Sequence, residues 1–212
     1  MKSGAPYREV DDLRRAYAGS RPAIRARLQD FARVPQEEYL YELIYCLLTP
    51  QSSAVNAAKV VARLKEADFL STDIDPSEIL FRKEHYIRFH NTKARRLLEA
   101  KTNRDGILAA LARESSPPEM RDWFVRNVKG LGWKEASHFL RNIGYRDLAI
   151  LDRHILKNLR RHRIIRTVPK SLTPARYKSI ERKFRRFARD VGIPMDELDL
   201  LFWSRETGEI LK

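Results

Sequence analysis

Along residues 37–48, EEYLYELIYCLL, apolar side chains fall at Leu40, Leu43, Ile44, Leu47 and Leu48. That spacing has the period of a helix, and Thr49-Pro50 interrupts it. Residues 52–65, SSAVNAAKVVARLK, open on serine cap candidates and carry Ala54, Ala57, Ala58, Val61 and Leu64 on one helical face. Further helices are predicted at 76–81, 92–101, 105–113 and 117–128, the last started by Pro117-Pro118. A helix at 133–143 is closed by Gly144 as its C-cap. Helices at 152–160 and 174–190 follow, the second ended by Gly192-Ile193-Pro194, and a short one covers 195–204. No segment sustains period-2 alternation, so the fold class is all-α. There is no internal repeat and no low-complexity linker.

At 212 residues, 43% of them hydrophobic and 33% charged, the chain can form one large domain or two small lobes sharing a core. No run approaches the ~18 apolar residues that span a membrane. The opening MKSGAPYREVDD lacks the apolar core of a signal peptide. The expectation is a soluble, cytoplasmic protein with no membrane partner. A single cysteine, Cys46, lies in the apolar run LIYCLL and reads as a buried small hydrophobe. One cysteine rules out an intrachain disulfide framework and a cysteine-ligated cluster or zinc site within the chain. The net charge of +14 changes the picture most. Such an excess faces something anionic, nucleic acid first, with an anionic membrane surface or plain solubility as alternatives.

Candidate chemistry concentrates in VKGLGWKEASHFLRN, residues 128–142. Two predicted helices are joined by Lys129-Gly130-Leu131-Gly132, a turn whose backbone angles only glycine adopts cheaply. Leu131 can pin the turn by entering the core. The N–H groups of Gly130, Gly132 and Trp133, with Lys129 beside them, then form an anion site at a helix N-terminus, suited to a DNA phosphate. The alternative is an ordinary tight turn between helices. A phosphate-loop reading fails, because no strand precedes the glycines and the remaining motif residues are missing.

Lys134 stands in the first turn of its helix, where the dipole disfavours a cation by about 0.3–1 kcal/mol. Desolvation and neighbouring arginines would act in the same direction. An amine released from its charge is a nucleophile able to form a Schiff base. The other reading is a solvated lysine relieved by the adjacent Glu135. In ILDRHILKNL, residues 150–159, Asp152 stands where a helix N-cap belongs. An N-capping carboxylate accepts backbone N–H groups and also supplies the negative charge that a developing cation needs. His138, one turn beyond Lys134, is either a general base or a packed core histidine.

These residues carry a resemblance. The run from Val128 to Asn158 resembles the helix-hairpin-helix base-excision DNA glycosylases. KGLGWKEASHFLRNIGYRDLAILDRHI is similar to the type 2 8-oxoguanine DNA glycosylase/AP lyases of archaea and some bacteria. The C-terminal WSRETGEILK extends the likeness, so that residues 1–212 read as a single two-lobed glycosylase. The hairpin motif then covers about 118–143 and the catalytic loop about 144–153. The resemblance implies an active cleft between two helical lobes, with Lys134 as the nucleophile and Asp152 as the assisting carboxylate. It implies action on double-stranded DNA containing damaged guanine, by a monomer associated with the nucleoid of an archaeon or bacterium. Base removal would be followed by β-elimination at the abasic site.

For the base pocket, the resemblance implies Trp203 as a stacking aromatic and the terminal Lys212 as a reader of the base. Gln51, in LLTPQSS, would fill the gap left by an extruded nucleotide. A second wall would come from near Phe89 or His90, with the choice between them open. Trp203 reads equally as core after Leu200, Leu201 and Phe202. The lone cysteine departs from relatives that hold a four-cysteine iron–sulfur cluster. The expected cofactor set is therefore empty, with a monovalent cation at the hairpin left open. The basic stretches at 160–166 and 178–190 read as solvated faces, some of them along DNA. Two other functions compete: a non-enzymatic helix-hairpin-helix DNA-binding module, and a glycosylase for another damaged purine.

Overall fold

In the computed structural model residues 7–210 are described, and among them there is no strand. The α-helices in order are α1 Val10–Ala32, α2 Tyr39–Leu48, α3 Ala54–Glu66, α4 Ser77–Phe81, α5 His90–Thr102, α6 Arg104–Leu111, α7 Pro117–Asn127, α8 Trp133–Asn142, α9 Arg153–Arg161, α10 Pro174–Val191 and α11 Met195–Thr207. None of the described helices is long and apolar enough to cross a membrane. The chain divides into two compact units. Val34–Phe139 forms one; the segments ending at Arg33 and starting at Leu140 form the other.

The unit Val34–Phe139 is built on α2. Leu40, Leu43, Ile44, Leu47 and Leu48 are all buried, as the spacing predicts, but so are Tyr45, Cys46 and Glu42. Helix α2 is therefore enclosed rather than one-sided, and α3 and α5 pack on it. Helix α3 differs from expectation. Ser53 caps it, its side chain accepting the Asn56 N–H, but the inward face is Ala57, Val60 and Leu64, while Ala58 is exposed. Val60 takes the inward place expected of Val61, which is half-buried. Helix α7 starts at Pro117 after Ser116, whose N–H donates to Glu119 Oε2 at 2.9 Å.

The other unit is built on α11, where every residue from Met195 to Phe202 is buried. Three of these are acidic, and buried carboxylates require partners. Glu197 accepts from the Tyr17 hydroxyl and from Arg25 Nε at 3.3 Å; Asp196 accepts the Asp147 N–H at 3.1 Å; Asp199 accepts Arg141 Nη1 at 3.0 Å. His162 stacks on Phe202 with ring centroids 5.4 Å apart. Helix α1 lies along α11 and has no counterpart among the helices that the sequence predicts. Its inward residues Ile24, Leu28 and Phe31 keep a helical spacing, but a long gap that contains Gly19 and Pro22 separates them from Leu13.

Gly144 ends α8 as the sequence suggests. Its φ is +96°, and the Tyr145 N–H reaches back to Leu140 O at 2.9 Å. A Cβ at residue 144 would stand 3.1 Å from Ala32 Cα, which is backbone and cannot swing away. Gly144→Ala should therefore combine left-handed strain with a collision and lose at least about 1 kcal/mol. The shift in urea midpoint at an unchanged m-value checks this.

Candidate active site

The connection from α7 to α8 turns around Leu131, which is 5% exposed. Gly130 takes φ +95°, and the Leu131 N–H returns to Val128 O at 3.2 Å. The N–H groups of Gly130 and Gly132 donate to no acceptor among the described residues. Lys129 extends into solvent and pairs with Glu99 Oε1 at 3.4 Å. Behind the turn stands a residue that the sequence pattern does not single out. Arg121, 1% exposed, lies 4.7 Å over the Trp133 ring and donates Nη1 to Ser137 Oγ at 3.1 Å. This buried guanidinium staples the first half of α7 to the first half of α8.

Lys134 keeps 33% of its side chain exposed. Its amine is paired with Glu135 Oε1 at 3.1 Å, and Glu135 is only 15% exposed. The carboxylate thus supplies the charge that the helix start withholds, the relief by Glu135 that the sequence allows for. The same Glu135 leans over the hairpin, for a Cβ on Gly132 would lie 2.8 Å from its Oε2. His138 packs edge-on to Tyr45 with centroids 5.9 Å apart, which fits the packed reading of that residue.

Asp152 is the N-cap of α9, as its position suggests. Its backbone is extended and Oδ1 accepts the Ile155 N–H at 2.8 Å. Its side chain is partly exposed. Beneath it lies Asp199. Burial pushes this carboxyl from 3.8 up to about 7; Arg141 opposes the rise, and the charges of Asp152 and Asp196 add to it. Arg141 also stacks 5.0 Å over Phe31, so the pair is held from two sides. Lys134 belongs to the unit Val34–Phe139 and Asp152 to the other.

Trp203 departs from the core run that precedes it. Phe202 is 0% exposed, but Trp203 is half-buried, its ring 6.5 Å from His154. Glu206, one turn on, accepts Lys157 Nζ at 2.6 Å and fastens the end of α11 to α9. Lys212 lies outside the described residues. Gln51 is exposed with φ +55°. Between the two candidates for a second wall, the structure draws a distinction. His90 is half-buried against Phe81, at 4.6 Å between centroids, whereas Phe89 is 51% exposed at φ +59°. Phe89 is thus the freer of the two to meet a base.

With this geometry in place, comparisons with known proteins point one way. Residues 24–193 match the family model described as 8-oxoguanine DNA glycosylase. An 8-oxoguanine DNA glycosylase/AP lyase of Fusobacterium nucleatum is 38% identical over the whole of both chains. The crystal structure of a Methanocaldococcus jannaschii 8-oxoguanine glycosylase/lyase in complex with 15mer DNA containing 8-oxoguanine superposes with a TM-score of 0.85 at 32% identity, covering 96% of this chain and 99% of that one. The 8-oxoguanine DNA glycosylase of Thermotoga maritima gives a TM-score of 0.84 at 30% identity, covering 96% and 98%.

The raised position of Asp199 has a stability consequence. The fold favours its protonated form, so its contribution is complete below about pH 4 and is lost as pH rises toward about 7. Asp199→Asn cannot titrate and should lose less stability over that interval than the wild type. Denaturant midpoints measured at both ends of the interval test this.

Proposed function

The chain belongs to the 8-oxoguanine DNA glycosylases, and from that premise we infer that it removes 8-oxoguanine from DNA and nicks the abasic site left behind. Lys134 is the nucleophile in this reading. Its neutral amine bonds to C1′ of the damaged nucleotide as the glycosidic bond breaks and the base leaves with a proton. Opening of the sugar ring gives a Schiff base between Nζ and C1′. Loss of a C2′ proton then expels the 3′ phosphate by β-elimination. The Asp152 carboxylate assists deprotonation of the lysine and stabilises the positive charge that grows on the sugar. Phosphates dock on the Gly130 and Gly132 amides, beside Trp133 and Lys129, and fix the register of the DNA. Trp203 stacks on the extruded base, Lys212 reads it, and Gln51 fills the space it vacates. The reaction draws on no cofactor, and the DNA substrate places the protein at the nucleoid of a bacterium or archaeon.

The observation that carries this reading is the amine of Lys134. It is accessible, yet held by Glu135 at the start of a helix whose preceding glycine amides donate to no acceptor among the described residues. Borohydride reduction on a duplex containing 8-oxoguanine should trap a covalent adduct with the wild type. Lys134→Gln should abolish the adduct while duplex affinity stays within a few-fold, and an adduct formed by the variant would remove Lys134 from its role. Asp152→Asn keeps an oxygen for the Ile155 N–H and so keeps the cap, but it loses the charge. Base release should fall by on the order of 10²-fold or more without loss of folding.

A basic cavity of about 600 Å³ offers a second meeting point with the DNA backbone. Arg163, Arg166, Arg176 and Lys183 line it with no carboxylate in the lining, and none of the four has an ion-pair partner among the described residues. Replacing Arg176 and Lys183 by alanine should flatten the dependence of log affinity on log salt by about 0.9 for each phosphate that is no longer neutralised. Affinities measured across a salt series give that slope.

A further inference from the structure

Helix α5 has a lysine on its buried face. Lys93 shares that face with Ala94, Leu97 and Ala100 and is 2% exposed. An ammonium in such a place is strongly destabilised by the loss of water unless every hydrogen finds an acceptor. Here all three do. Nζ donates to Leu48 O at 2.6 Å, to Pro50 O at 2.7 Å and to Ser52 Oγ at 3.0 Å. Burial and the charge of Arg96 still lower the amine to about 8.

The acceptors show what the lysine is for. Leu48 O is one of the carbonyls left open at the end of α2, and a cation is favoured there. Pro50 and Ser52 belong to the turn that follows. Lys93 therefore caps a helix other than its own and fixes the backbone on both sides of Gln51. Ser52 Oγ also accepts the N–H of Arg88 at 3.0 Å, and Asn56 Nδ2 donates to Tyr86 O at 3.2 Å. Arg88 immediately precedes Phe89. Two tips distant in sequence are thus tied into one body.

Each tip carries a non-glycine residue in the left-handed region, Gln51 at +55° and Phe89 at +59°, with its side chain exposed. A strained residue persists only where its surroundings over-determine it. Among the described residues neither side chain makes a hydrogen bond, and the Arg88 guanidinium lies 5.0 Å over the Phe89 ring.

We propose that Lys93 is a positioning residue for DNA interrogation, whose ammonium sets Gln51 and Phe89 as one rigid two-pronged edge that enters the base stack as a nucleotide is extruded. This rests on the glycosylase reading above. Fixing both prongs beforehand removes an ordering cost from the step that opens the stack. Removing the lysine therefore slows extrusion from an intact stack and leaves chemistry on an already displaced base untouched.

The test compares two substrates under single-turnover conditions: 8-oxoguanine paired with cytosine in a duplex, and 8-oxoguanine in a one-nucleotide bulge. Lys93→Met and Ser52→Ala should each lower release from the paired site by about tenfold or more. On the bulge, release should stay within about twofold of wild type, because an unpaired base costs least to extrude. The fluorescence of 2-aminopurine beside the paired lesion should rise on binding wild type and rise less with either variant. Equal losses on both substrates, or none on either, would overturn the role of Lys93. If Lys93→Met fails to fold, Ser52→Ala carries the same comparison, since it cuts the link between the tips and spares the buried face. Wild type that releases base from neither substrate would defeat the glycosylase reading itself, and this inference with it.

Discussion

Leu131 is buried inside a connection of only five residues between Asn127 and Trp133, so the backbone has to reverse around a side chain committed to the core. That constraint dictates Gly130 at φ +95° and leaves two glycine amides beside the start of α8. It also sets the register of the helix. Ala136, Phe139 and Leu140 turn inward, and Lys134 takes a position in the first turn where it is neither enclosed nor free. The dipole at such a start works against an ammonium, while Glu135 at 3.1 Å works for it. The two effects are of opposite sign and similar type, and both fade as the amine moves away from the turn. The lysine is thus held by an ion pair at a helix start while a third of its side chain stays exposed.

The net charge of +14 is unevenly distributed. On α11 Asp196, Glu197 and Asp199 are drawn inside, where Arg25, Arg141 and the Asp147 amide satisfy them. Carboxylates used in this way are not available to neutralise the surface. The cations that face the cavity beside α10 have no ion-pair partner among the described residues, so their mutual repulsion favours an anion there. Inward acids and outward bases are therefore two sides of one arrangement, which a DNA-binding chain can exploit without raising its cation count further.

Much of this was legible in the sequence wherever a residue and its partner lie within a turn of each other. Asp152 with Ile155, Ser53 with Asn56, and Gly144 with the end of α8 are local devices, and each stands where its spacing places it. The same holds for the buried row Leu40, Leu43, Ile44, Leu47 and Leu48. Tertiary partners were not legible. The partners of Asp196, Glu197 and Asp199, among them Arg141 and Tyr17, lie far away along the chain, and no local spacing announces them. Helix α1 has a weak pattern because no buried residue lies between Leu13 and Ile24, and it packs on α11, which is far away along the chain. Lys93 did leave a trace, being a lysine in register with Ala94, Leu97 and Ala100, but its acceptors are carbonyls, and a carbonyl has no letter in a sequence.

Three buried charges share a logic that ties fold to site. Lys93 stands behind Gln51 and Phe89; Arg121 stands behind Trp133; Arg141, through Asp199, stands behind the turn that ends at Asp152. In each place an apolar side chain of similar volume would fill the space at a lower desolvation cost. It would not choose among backbone arrangements, because apolar packing has no direction. A charged donor with fixed acceptors does choose: three acceptors define one position of the 48–52 turn, and a guanidinium over one ring and under one hydroxyl defines one start for α8. Stability alone does not account for such groups. Their common placement one layer behind an exposed or half-buried candidate residue is accounted for if those residues must meet DNA in a set orientation.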